Sequence, residues 1–153
     1  MTDEQIQRLL NAPKRVTNAQ ARWKEQRGSR QKNYDVETVD GSHRFRLFLR
    51  QNIRLESSFS CGLHYLAPGS EDVCLTRYNG DDHDHSNPLE SASETKRGFH
   101  IHRATERYIQ AGRKAEHFAE STDRYSTLEG ALQAICADCK IAGLPTQQPD
   151  FFL

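Results

Sequence analysis

No run of residues approaches the roughly 20 apolar positions that a bilayer-spanning helix needs, so the sequence excludes an anchor of that kind. A secretory leader is not expected either. The chain opens acidic, with Met1-Thr2-Asp3-Glu4, and leads into polar sequence, whereas a leader begins basic and turns apolar. The expectation is a cytoplasmic protein with no membrane partner. Net charge is absent as well: 21 Lys and Arg balance 21 Asp and Glu over 153 residues. There is no internal repeat. Cysteine is scarce, at four, and in a chain that is not exported the thiols stay reduced. Cys136-Ala-Asp-Cys139 has C-x-x-C spacing, but it falls late in a helical pattern, where a redox motif needs to open a helix after a strand. Cys61 and Cys74 lie in separate strand-like runs, with no knuckle turn to complete a four-thiolate zinc site. All four read as buried structural cysteines.

The length fits one domain, 1–153, able to bury about 70% of its unfolded surface. The neutral total hides an uneven distribution. Residues 14–54 carry eleven Lys and Arg against four Asp and Glu, and residues 55–153 carry nine against fifteen. The basic front can face nucleic acid, or the two parts can neutralise each other across the fold or in a homodimer.

The pattern predicts a helical and basic N-terminal segment over 1–33, an antiparallel sheet over 34–112, a C-terminal helical part over 113–144 and a tail over 145–153. Thr2 caps a first helix reaching Asn11, with Ile6, Leu9 and Leu10 on one stripe. Thr17 starts a second helical piece to Lys24, and Arg22 to Asn33 reads as a linker or surface arm. The period then becomes two. Tyr34–Val39, a strand around Phe45, Leu47 and Leu49, Ser58–Leu66, Val73–Tyr78 and Gly98–Arg103 form a meander of about five strands, with Asp40-Gly41 as a hairpin turn. Asp81 to Lys96 is a long polar loop. Residues 104–111 fit either strand or helix. Ser126 with Glu129 has capping-box spacing and opens a helix to Asp138. The fold class is therefore α+β, with N- and C-terminal helices covering one face of the sheet.

The chemistry concentrates in the fifth strand, Phe99-His100-Ile101-His102-Arg103. Alternation sends Phe99 and Ile101 to one face and His100 and His102 to the other, more open one. The preceding loop, Asp81-Asp82-His83-Asp84-His85-Ser86-Asn87-Pro88, can fold back over them if the fourth and fifth strands pair. Two chemistries suit the four histidines. One is metal-independent phosphodiester cleavage, in which one imidazole takes a ribose 2′-hydroxyl proton and another protonates the leaving oxygen. The other is a hydrolase with one divalent metal ion held by His83, His85, His100 and His102. Arg77, Arg103 or Arg46 would bind phosphate, and Tyr78 or Tyr108 would assist. Arg44, Arg46 and Arg50 share the face opposite Phe45, Leu47 and Leu49, the face assigned to the histidines. Of Glu106, Glu116, Glu120 and Asp123, which follow the fifth strand, one can orient a histidine or complete a metal shell, Glu106 first as the nearest in sequence; the alternative is that all are surface carboxylates. His43, His64 and His117 are isolated and read as structural or surface residues.

Leu9 to Val16, Arg77 to Gly80, His83 to Pro88, His100 to Tyr108 (His-Ile-His-Arg-Ala-Thr-Glu-Arg-Tyr) and Thr122 to Tyr125 together resemble a poorly characterised bacterial and phage-borne family of small proteins. The resemblance covers most of the chain, and similar histidine-strand proteins occur among candidate toxins of toxin–antitoxin pairs. It implies a toxin-like or mobile-element protein, read here as a ribonuclease or other phosphodiesterase. The alternatives are a non-enzymatic binding module (an antitoxin, an anti-defence protein or a nucleic-acid adaptor) and the metal-dependent hydrolase above.

Overall fold

The computed structural model describes residues 1–80, 85–86, 95–96 and 98–145. The elements run α1 (Asp3–Asn11), β1 (Lys14–Val16), β2 (Lys24–Gln26), β3 (Ser29–Thr38), β4 (Arg44–Asn52), β5 (Phe59–Tyr65), β6 (Val73–Asn79), β7 (His85–Ser86), β8 (Thr95–Lys96), β9 (His100–Arg103), α2 (Glu106–Gln110), β10 (Phe118–Ser121), α3 (Leu128–Asp138) and β11 (Ile141–Ala142). The fold is α+β.

The predicted meander is present as β3-β4-β5-β6-β9, every pair antiparallel. Its reach is wider than five strands. β10 extends it beyond β9, while β1 and then β11 extend it beyond β3, giving a nine-stranded sheet with β2 paired to β3 at the side. β1 and β11 are parallel, Lys14 lying across from Ile141. The β3–β4 turn uses Gly41 at φ 77°, with the Gly41 amide bonded to the Thr38 carbonyl. Glycine suits that left-handed backbone because it has no Cβ to clash.

Hydrophobic burial sorts the two faces. Phe45, Leu47 and Leu49 of β4 and Cys61 and Leu63 of β5 point to an inner face. α1 and α3 add Ile6, Leu9, Leu128, Ala131, Ile135 and Cys136 to the same core. Both terminal helices thus cover one face, as the sequence implies. Leu75 is the extra residue of a bulge, since Leu63 opposes Thr76 and His64 opposes Cys74. All four cysteines are free and buried, and desolvation pushes the Cys74, Cys136 and Cys139 thiols up to about 12.

Several expectations are corrected. Residues 17–24 form no helix, and the supposed linker from Arg22 is the β2–β3 hairpin, Lys24 pairing with Gln31. The 1–33 segment is helical only to Asn11, and the 113–144 part contains β10 and β11 besides α3. The cap of α3 is Thr127, whose hydroxyl accepts from the Gly130 amide, so the Ser126–Glu129 box does not form. Residues 106–110 are helical, capped by Thr105. The capping box at Thr2 is present, with Gln5 as its reciprocal partner. Of the long polar loop, only β7 and β8 are described, as a two-stranded pair. The tail from 146 lies outside the described residues.

Candidate functional site

β9 carries the site because it is flanked on both sides. β6 pairs with it at Arg77↔His102 and Asn79↔His100, and β10 pairs at Ala119↔His102 and Ser121↔His100. Alternation sends Ile101 into the core and both histidines to the outer face, beside Arg77 and Asn79. Three hydroxyl bonds fix the backbone from behind. Thr76 donates to the His102 carbonyl at 2.7 Å. Tyr125, wedged among Phe59, Tyr78 and Phe99, donates to the carbonyls of Asn79 at 2.8 Å and His100 at 3.1 Å.

The rings of His100 and His102 lie 5.0 Å apart, edge to face. Each is held through Nδ1 by a backbone carbonyl at 2.9 Å: Gly98 for His100 and Glu116 for His102. A carbonyl only accepts, so Nδ1 carries the hydrogen in both rings and Nε2 is the nitrogen that exchanges a proton. The pair is not on open surface. His100 is 0% and His102 3% exposed. The sequence places them on a more open face; a turn following α2, residues 112–117, instead folds over β9.

That turn supplies Glu116, one of the carboxylates expected after the fifth strand, together with a cover and a neighbouring His117 that sequence reading missed. Its Glu116 carbonyl orients His102, and its carboxylate Oε2 meets the Arg77 guanidinium at 3.1 Å. Arg77, His102, Arg113, Lys114, Glu116 and His117 line a cleft of about 460 Å³. His117 stacks on Tyr108 at 5.3 Å. Inside this block the Arg77 Nε and Asn79 Oδ1 atoms are buried with no hydrogen-bond partner among the described residues. His64, one strand further out, is held below its ordinary pKa by burial, opposed by the charges of Glu116 and Asp72.

The predicted residues divide accordingly. His100, His102 and Arg77 come together. Arg103 shares the inner-face parity of Ile101 and approaches Glu120 at 3.8 Å, away from the histidines. Tyr78 is a core residue whose hydroxyl bonds Asp138. Tyr108 is fully buried and stacks on His117, with Phe118 also beside its ring. Arg46 keeps to the outer face but pairs with Asp72 at 3.7 Å, three strands from His102. Glu106 is tied to Asp3 of α1 through reciprocal backbone-to-carboxylate bonds, so Glu116 takes the orienting place expected of it. His83 and the side chain of His85 lie outside the described residues. The backbone of β7, which carries His85, comes within 8 Å of β10, Cα to Cα.

Asn79 was legible as the outer-face neighbour of Arg77 two residues on. Glu116 and His117 lie where no period marks an element, and their only local cue is the turn at Gly112, φ 76°.

Among the described residues, no group of three His, Cys, Asp or Glu side chains is arranged to hold a metal ion. No helix among them is long and apolar enough to cross a membrane. The family model that matches the chain spans residues 1–141, from α1 through the start of β11. The chain belongs to the family of unknown function DUF6978. For this DUF6978 member, no curated protein and no solved structure matches.

Proposed function

We propose that the cleft at His102 is a metal-independent phosphodiester-cleaving site acting on RNA. The observation that carries this reading is the pair of carbonyl-oriented imidazoles beside a cationic cleft: the Glu116 carbonyl leaves Nε2, a buried atom, as the acceptor nitrogen of His102, and Arg77, Arg113 and Lys114 on the cleft wall supply positive charge for a phosphate. In the reaction, His102 Nε2 takes the ribose 2′-hydroxyl proton. The 2′-oxygen attacks phosphorus, a P–O2′ bond forms and the P–O5′ bond breaks. The departing 5′-oxygen takes a proton from the imidazolium of His117, on the cleft wall. The products are a 2′,3′-cyclic phosphate and a 5′-hydroxyl, and the proton held by His102 returns to His117 through solvent. His100, whose ring meets that of His102 edge to face at 5.0 Å, is a positioning residue that packs the ring in place, while the Glu116 carbonyl sets its tautomer. The buried Arg77 Nε and Asn79 Oδ1, without a hydrogen-bond partner among the described residues, favour a polar ligand here, because an unmet buried polar group costs about 1–3 kcal/mol.

In a cell such an activity is that of a toxin-like or mobile-element nuclease. The test is cleavage of single-stranded RNA and of DNA of the same sequence. RNA is cut to cyclic-phosphate ends, DNA is spared because it lacks the 2′-hydroxyl, and His102→Ala or His117→Ala each slows the reaction roughly 10²- to 10⁴-fold. Equal cutting of DNA, or full activity in folded His102→Ala, overturns the reading. A second reading, a non-enzymatic nucleic-acid adaptor, draws on the arginines of the outer face. It predicts binding unchanged by His102→Ala and no cleavage.

A further inference from the structure

We propose that the outer face of the sheet binds one strand of nucleic acid, running across the β-strands from the basic β2–β3 hairpin to the His102 cleft. Two rows of cross-strand partners trace the path. One is Lys24, Gln31, Arg50, Ser60, Asn79 and His100; the other is Asn33, Phe48, Gly62, Arg77 and His102. Partners directly opposite project to the same face, so each row is a continuous line of side chains. From β3 to β9 there are four steps of roughly 4.8 Å, about 19 Å in all.

Charge is strongest where the path begins. A cavity of about 610 Å³ is lined by Arg22, Lys24, Arg27, Arg30 and Arg50, and no carboxylate lines it. On the opposite side of β3, Trp23 packs against the core with the Arg30 guanidinium 4.0 Å and the Lys32 ammonium 4.7 Å from its ring centre. The middle is an aromatic platform. Phe48 lies over Gly62, where a Cβ would stand 2.5 Å from the ring, so glycine at this position lets the phenyl settle against the sheet. His64 meets the same ring edge-on at 5.1 Å. Gln31, Asn33 and Arg50 are exposed, and Phe48, Ser60 and His64 are half-buried; beyond them Gly62, Asn79, His100 and His102 are buried, and Arg77, a quarter exposed, carries the track to the cleft. Cations for phosphates, a ring on a sheet face for bases and amides for base edges are the parts by which proteins hold single strands. A duplex hides its bases from such a ring, and an acidic polypeptide has no use for it. The strand's far end rests on the phosphodiester reading of the cleft; its binding along the sheet does not.

The experiment measures binding to the full-length His102→Ala chain, which the reading above makes unable to cut. The probes are a labelled oligouridine of about 12 nucleotides, an RNA duplex of similar length, and poly-glutamate as an acidic-polypeptide competitor. Oligouridine binds at least about tenfold tighter than duplex, and log K falls with log salt at a slope of about −2 to −3, as for three to four phosphates on a single strand. Adding Arg50→Glu or Phe48→Ala weakens binding roughly tenfold, and Phe48→Tyr restores it. Arg50 is exposed, so its variant keeps the parent's melting temperature and remains informative if Phe48→Ala fails to fold. Equal duplex binding, displacement by poly-glutamate as effective as by RNA, or unchanged affinity in Arg50→Glu overturns the proposal. Binding as described in a chain that does not cleave leaves the track standing and removes the nuclease reading. Cleavage unaffected by Arg50→Glu does the reverse.

Discussion

Glu116→Gln separates the two jobs assigned to Glu116. The glutamine keeps the backbone carbonyl that orients His102 but removes the charge facing Arg77 at 3.1 Å. At an effective dielectric of about 20, unit charges at that distance attract by about 5 kcal/mol. Desolvation offsets part of this, and Arg77 is a quarter exposed, so the net loss is on the order of 1–3 kcal/mol. For a domain of this size each kcal/mol lowers the melting temperature by about 2–4 °C, which puts the expected drop near 5 °C. A thermal double-mutant cycle with Arg77→Met isolates the pair and gives a coupling of about 1–2 kcal/mol. The same substitution removes a negative charge that raises the His64 pKa, so the His64 ring titrates lower still by NMR. Losses that simply add, with coupling under about 0.3 kcal/mol, refute the claim that this ion pair fastens the 112–117 turn over β9.

His64 gives a pH dependence with a defined sign. Burial depresses its folded pKa, so below about 6.5 the unfolded chain takes the proton first. The contribution of His64 is complete above that pH and is lost as pH falls toward the folded value; the urea midpoint drops between about pH 7 and 5.5, and His64→Gln flattens the slope. An equal slope in the variant assigns it to another group. Lys14 is 1% exposed and donates to the carbonyls of Leu10, Ala12 and Cys139, tying the ends of α1 and α3 together. Burial lowers its pKa to about 8. Lys14→Met strands three carbonyls and costs about 2–4 kcal/mol, read as a melting temperature lower by about 5–10 °C; a change within about 1 °C contradicts that role.

The parts of the fold that were legible are those with a period. Phe45, Leu47 and Leu49 alternate because one face of β4 is buried, and Ile6 and Leu9 repeat at helical spacing because one face of α1 is. β2 has none of this signal, being three exposed polar residues, and β1 hides its core position behind a lysine. β11 is two residues long and is placed by a parallel pairing with β1 from the far end of the chain, which no local pattern encodes. Parity placed His100 and His102 together and set them apart from Ile101. It also set Arg103 apart, which the search for phosphate ligands passed over. The burial of His102 was not legible, because its cover comes from the aperiodic turn at Glu116.

The most direct test is the hydrogen on the two imidazoles, read by ¹⁵N NMR of histidine-labelled protein near neutral pH. Both His100 and His102 are predicted to be Nδ1–H tautomers in the neutral form, each hydrogen bonded to its carbonyl. An Nε2–H tautomer at His102 would leave Nδ1, facing the Glu116 carbonyl, as its proton-accepting nitrogen and contradict the proposed site.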